Sequence, residues 1–385
     1  MGRKATYSVG GVVVFLLGAA LWLHLTDRNY VYRALRYNFA DIDDHLIFEQ
    51  RTIAAPAAAQ PWPFAKDYNE RTPPASLQQL HQELESVAFL VVKQDSILHE
   101  QYWQGYSSKS LSNSFSVAKS IVSLLVGVAI KEGKIKSLDQ PVGDFLPAFR
   151  EGAKAQITLQ HLLWMSSGLN WDESYSSPLS ITTEAYYGTD LSKVISRLEA
   201  VESPGQQFSY KSGDSQLLAF VLEAATGQKV SAYAQEKLWR KIGAAQDAEW
   251  SIDHQNGIEK AYCCFFSNAR DFARLGKLYL HQGVWHGDTI VDPEYVKASL
   301  TPSGLPAASD KQKVDYYGYQ WWLMPNYKGQ QIFYARGILG QYIIVIPEKE
   351  LVIVRLGKKR AERVGQHPGE VLAMIDAVNK MVPPP

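Results

Sequence analysis

The sequence predicts an α+β fold, an α/β sandwich in which one antiparallel sheet built from both ends of the chain packs against N- and C-terminal helices, with a mostly helical lobe inserted between. Three observations predict it. Strand-like apolar runs bounded by turn residues occur at 87–103 and return only at 319–356, helix patterns with cap and stop signals fill most of the interval, and 46% of the 385 residues are hydrophobic, enough for a large core.

Arg3 and Lys4 precede the stretch 8–25, which has no carboxylate and no basic side chain except His24. Its length suits a bilayer-spanning helix, and no small-x-small cleavage site follows it. Residues 1–27 therefore read as an uncleaved transmembrane signal anchor, with a cleaved signal peptide as the alternative. The body of the chain would then face the periplasm or exterior at an inner or plasma membrane, although Arg28, Arg33 and Arg36 weaken the charge contrast. Residues 28–75 are mixed polar and aromatic, then rich in Ala and Pro over 54–74, and read as a linker.

The compact domain is expected over 76–385, its sheet part over about 76–115 and 311–385 and its helical lobe over about 131–310. An amphipathic helix at 77–85 leads into a hairpin, 87–92 and 97–103, around Lys93-Gln94-Asp95-Ser96. A helix starts at Ser116 and ends near Gly133, which suits a C-cap. Residues 157–168 read as a second helix, capped by Thr158 and stopped by Gly168, with His161 in a packing or surface role. Further helices are predicted at 191–198, 217–225 and 271–281, and a loop at 283–288. The late strands are 319–323, 332–335, 341–346 and 351–356, with 347–350 as a tight turn, and a helix at 369–381 closes the chain. No internal repeat is visible.

Lys plus Arg equals Asp plus Glu at 39 each, so no global field points to nucleic acid. The chain has no H-E-x-x-H, no G-x-x-x-x-G-K-[ST], no G-x-S-x-G and no Cys/His spacing of a metal site. Cys263 and Cys264 are adjacent, too close for an unstrained bridge, and read as small buried apolar residues.

The informative stretch is Ser116-Val117-Ala118-Lys119, followed by an apolar helical run. Residues three apart share a helix face, so the Lys119 amine can reach the Ser116 hydroxyl at a helix start whose N–H groups are unpaired. A serine becomes a nucleophile only when a neighbour takes its proton, and an amine in a desolvated pocket can do so.

With Gly133-Lys134-Ile135-Lys136-Ser137-Leu138-Asp139-Gln140-Pro141-Val142, then Ile157-Thr158-Leu159-Gln160-His161-Leu162-Leu163 and Met165-Ser166-Ser167-Gly168-Leu169, the chain resembles the serine β-lactamase-like hydrolases. That family includes class C β-lactamases, DD-peptidases, esterases and 6-aminohexanoate-dimer hydrolases. The resemblance spans about 87–380 and implies a β-lactamase/transpeptidase-like fold, no cofactor and no metal, and a small ester or amide substrate. It implies a second motif, matched by Tyr210-Lys211-Ser212, with Tyr210 as general base, its pKa drawn down by Lys119. Ser212 and Asp214 near it are candidate substrate contacts.

The family's third motif, Lys-Thr-Gly or His-x-Gly, is replaced here by Ala335-Arg336-Gly337-Ile338-Leu339-Gly340-Gln341, similar to the Gly-Ile-x-Gly-Gln form of the aminohexanoate-dimer hydrolases. By that match the Ser116 and Ile338 N–H groups form the oxyanion hole, with Arg336 and Gly337 beside it. Without the Lys, β-lactamase or DD-peptidase activity becomes the lesser alternative, alongside a catalytically silent ligand sensor. Tyr175, in Trp171-Asp172-Glu173-Ser174-Tyr175, resembles a loop aromatic that closes over substrate in amidase-like members, and Trp321-Trp322 reads as sheet core.

Overall fold

The computed structural model describes residues 2–382, with side chains from Gly10 onward. Helix α1 (Gly2–Leu25) turns into α2 (Tyr30–Tyr37), and strand β1 (Gln50–Ile53) follows. Helix α3 (Ala75–Glu83) precedes the hairpin β2 (Ser86–Lys93) and β3 (Ser96–Tyr102), where Gln94 and Asp95 both take positive φ, as a tight two-residue turn requires. Next come β4 (Ser112–Asn113), α4 (Val117–Lys131), α5 (Leu159–Leu163), α6 (Ile181–Tyr187), α7 (Leu191–Ser196), α8 (Ser212–Thr226) and α9 (Val230–Ala234). The middle ends with β5 (Ala248–Ser251), β6 (Phe265–Ser267), α10 (Ala269–Leu280), the hairpin β7 (Val284–Trp285) and β8 (Asp288–Thr289), and α11 (Pro293–Ser299). The last part holds β9 (Trp322–Tyr327), β10 (Gln330–Gly337), β11 (Gln341–Ile346), β12 (Leu351–Gly357), the short pair β13 (Arg363–Val364) and β14 (His367–Pro368), and α12 (Gly369–Met381).

The main sheet has the order β3-β2-β12-β11-β10-β9, every pair antiparallel. Leu90 faces Val354 across the central pairing, so the two ends of the chain close one sheet. On one face, Leu77 of α3 and Val371, Met374 and Val378 of α12 pack on Phe89, Val91 and Ile353. The other face meets α10, where a Cβ on Gly276 would lie 2.6 Å from Val352, so the helix backbone rests directly on the sheet. Burial on both faces explains why these strands read as continuous apolar runs.

Three expectations are corrected. Residues 28–75 are no free linker: β1 is the edge of a second, four-stranded sheet, β1-β5-β6-β4, and the Asn113 N–H donates to Ile42 O at 2.8 Å. Arg51 pairs with the buried Glu259, and Trp62 Nε1 donates to Arg270 O at 2.9 Å. The lobe over 131–310 is mostly helical as expected, and the short strands β5 and β6 carry the second sheet into it. The helix predicted over 157–168 ends at Leu163, because Met165 takes φ 55° and the chain turns, while His161 completes a capping box with Thr158. Cys263 and Cys264 are bonded to each other in a buried turn rather than standing as free thiols.

Among the described residues no helix is long and apolar enough to cross a membrane. The side chains of Ser8 and Val9, which open the apolar stretch, lie outside the described residues.

Candidate active site

Phe115 takes φ 44°, a conformation that turns the chain abruptly from β4 into α4 and sets Ser116 at the helix start, where its N–H has no intrahelical acceptor. One turn on, Lys119 is buried. Its Nζ donates to Ser116 Oγ at 3.1 Å, to Ser212 Oγ at 3.0 Å and to Tyr262 O at 2.7 Å. Three acceptors hold the amine in place. Burial pulls its pKa down to about 8, against the opposing pull of the Glu173 carboxylate.

Glu173 is the residue that sequence reasoning missed. Its carboxylate accepts from the Ser212 N–H and hydroxyl, both at 2.6 Å, from Trp171 Nε1 at 2.8 Å and from the Tyr175 hydroxyl. An anion beside the first residue of α8 suits the positive end of that helix. The only available signal was a Glu within a loop noted for its aromatics, and nothing in the spacing shows that loop folding back on Ser212.

Tyr210 precedes α8 and turns its ring toward Lys119, whose Nζ lies 5.3 Å from the ring centroid. Its phenol lines a cleft with Ser116. The expected depression of its pKa is overturned: burial, then Glu173, hold the phenol above the ordinary tyrosine range, while a hydrogen bond with Ser116 works the other way. The ammonium sits by the ring rather than at the phenol oxygen, and the nearby carboxylate opposes ionisation.

Strand β10 runs past the start of α4. A Cβ on Gly337 would lie 2.2 Å from Ser114 O, so the strand comes this close only because residue 337 has no side chain. Ile338 follows at the first position of a 3₁₀ turn, Ile338–Gly340, and lines the cleft with Ser116. Its N–H, like that of Ser116, precedes the first bond of its own turn.

Ser116 opens on two cavities. One of about 410 Å³ contains Tyr210, Arg336, Arg360 and Arg363, with the Arg336 guanidinium 3.9 Å above the Trp322 ring. Trp321 and Trp322 are both core as expected, and Trp322 also forms part of this wall. The other, of about 360 Å³, is apolar. Tyr175 borders both, and Ser212 borders the apolar one. Asp214 borders neither, which corrects its assignment to substrate: it is fully buried, accepts from Ser167 Oγ at 2.6 Å, and burial raises its pKa to about 7. As the third residue of α8 it points to Ser167, away from the side on which Ser212 meets Lys119.

A family model described as Beta-lactamase matches residues 75–369. The chain belongs to the beta-lactamase family. The 6-aminohexanoate-dimer hydrolase of Paenarthrobacter ureafaciens is 29% identical over 299 residues, 73% of this beta-lactamase-family chain and 75% of that protein. A solved putative 6-aminohexanoate-dimer hydrolase from Bacillus anthracis has the same fold, with a TM-score of 0.70 at 20% identity, over 90% of this chain and 92% of that one. A family VIII carboxylesterase also matches in fold, with a TM-score of 0.64 at 16% identity, over 83% of this chain and 98% of that one. The chain is thus a serine hydrolase of the beta-lactamase family.

Proposed function

We propose that this beta-lactamase-family chain hydrolyses small esters or amides through an acyl-enzyme on Ser116. The observation that carries the proposal is the buried Lys119 amine, 3.1 Å from the Ser116 hydroxyl and with its pKa lowered to about 8, which makes its neutral form accessible near physiological pH. Lys119 takes the Ser116 proton as Oγ bonds to the carbonyl carbon. The N–H groups of Ser116 and Ile338 receive the oxyanion. The bond from the carbonyl carbon to the leaving oxygen or nitrogen then breaks. The Lys119 ammonium returns that proton to the leaving atom, and Tyr210, kept protonated by its raised pKa, donates a hydrogen bond to the same atom. Water, deprotonated by the same amine, releases the acid and restores the hydroxyl on Ser116.

Glu173 and Ser212 position Lys119, Tyr175 closes over the substrate, and Arg336 takes the place of the absent Lys as the cation of the third motif. The names of the relatives, a 6-aminohexanoate-dimer hydrolase and a carboxylesterase, agree with this substrate class. We also propose that α1 holds the chain at a membrane with the active site on the outer side, supported by the exposed apolar side chains of Val12 to Leu17. Release by alkaline carbonate would sink the anchoring.

A fluorophosphonate probe tests the chemistry. It should label the native protein on Ser116 and leave Ser116→Ala unlabelled, and hydrolysis of a short ester should fall about 10³-fold in Ser116→Ala, Lys119→Ala and Tyr210→Phe. Equal labelling of Ser116→Ala, or full turnover by Lys119→Ala, overturns the proposal.

A further inference from the structure

The acyl group that Ser116 accepts can be argued from the two cavities, and the inference rests on the function proposed above. The arginine-lined cavity offers cations and hydrogen bonds, suited to a polar leaving portion. The other is different in kind. It runs from Ser116 between α2 and α6, bounded by Leu35 and Phe39 on one side, Tyr186 and Tyr187 on the other, and Ile338 and Leu339 at the serine end. Among the described residues, no charged side chain lines it.

One wall of this cavity belongs to the N-terminal segment, outside the part of the chain matched by the family model. That wall is held in place: Tyr186 donates to Asp44, the Tyr187 hydroxyl donates to Asn38 O at 3.4 Å, and Asn113 ties down Ile42. Yet Leu35 is 68% exposed and Phe39 76% exposed, apolar side chains left facing water at the mouth of a fixed pocket. Exposed apolar surface concentrated at a concave, catalytic position marks the seat of an apolar ligand group. A charged acyl group would lose its hydration and find no charged partner here.

We infer that the acyl half of the substrate is a medium-length hydrocarbon chain, lying between α2 and α6 while the leaving alcohol or amine faces the arginines. Ser116 Oγ bonds to the carbonyl carbon of this chain, the leaving atom departs with the serine's proton, and water then frees the chain as a fatty acid. Each methylene moved from water into the cavity raises kcat/KM about three- to fourfold.

The test uses the full chain in non-ionic detergent with p-nitrophenyl acetate, butyrate, hexanoate and octanoate. Expected is a rise in kcat/KM of at least about tenfold from acetate to hexanoate, with the hexanoate-to-acetate ratio cut several-fold by Leu35→Ser and by Phe39→Ser. Both positions are at the surface, so neither variant threatens the fold. A flat or falling series in protein whose Ser116 takes the fluorophosphonate overturns the inference alone. A rising series whose ratio neither variant alters also overturns it, because the chain then lies elsewhere. Failure of Ser116 to label takes the proposed function down with the inference.

Discussion

A lysine amine sealed from water beside a serine hydroxyl loses its proton more readily than one in solvent, because burial penalises the charged form. Lys119 sits at that balance, its pKa lowered to about 8 from 10.5. The base is the neutral form, so kcat/KM should climb as pH rises toward about 8, nearly tenfold per unit on the acid side, and level off above it. A rate that falls over the same interval would exclude Lys119 as the base. Glu173→Gln removes the charge that favours the ammonium, and the inflection of the profile should move to lower pH. Asp214 sends a different signal. Its folded pKa, near 7, exceeds its unfolded value near 3.8, so from about pH 4 to 7 the folded chain holds a proton that the unfolded chain has lost. Stability contributed by Asp214 is therefore present at low pH and is lost as pH rises through about 7, and Asp214→Asn should flatten the urea midpoint across that window. Ser116, Lys119 and Tyr210 were legible at this scale because helical spacing and motif order speak for them. The protonation of Tyr210 and the place of Asp214 were not, because both depend on what surrounds a side chain rather than on its neighbours in sequence.

The candidate site is made by two elements that touch backbone to backbone. Strand β10 reaches α4 only because Gly337 lacks a Cβ, the position of which would be 2.2 Å from Ser114 O. Gly337→Ala should push the strand back and carry the Ile338 N–H with it. Expected are a loss of about 10²-fold in kcat, the effect of misplacing one oxyanion donor, and a destabilisation of about 1–3 kcal/mol from overpacking. Unchanged kcat with lowered stability would remove Ile338 from the oxyanion hole. The strands β11 and β12 and the helix α12 were read from sequence almost to the residue, since long apolar runs flanked by turns admit few alternatives. The short elements were not. Strand β1, at four residues with Arg51 among them, carries no pattern of its own and exists because β5 lies beside it.

For the molecule as a whole, the N-terminal segment is part of the folded body and part of the site. Arg51 reaches from β1 to Glu259, which is fully buried and also accepts from the N–H of Ser231 at 3.1 Å. Arg51→Ala would leave that carboxylate without its cation, and a loss of about 3 kcal/mol in unfolding free energy is expected by urea titration. A loss near zero would show the segment to be loosely attached and would weaken its role as a cavity wall. By itself the sequence determined the sheet closed by both chain ends, the helix that begins at Ser116, and the set of groups able to activate a serine, because periodicity, capping and motif order are local properties of the chain. Only the tertiary structure decided that Glu173 holds Ser212 beside Lys119, that Tyr210 stays protonated, and that residues 34–40 build one side of the apolar cavity. Those outcomes depend on burial and on contacts between distant residues, and desolvation is set by the folded surroundings.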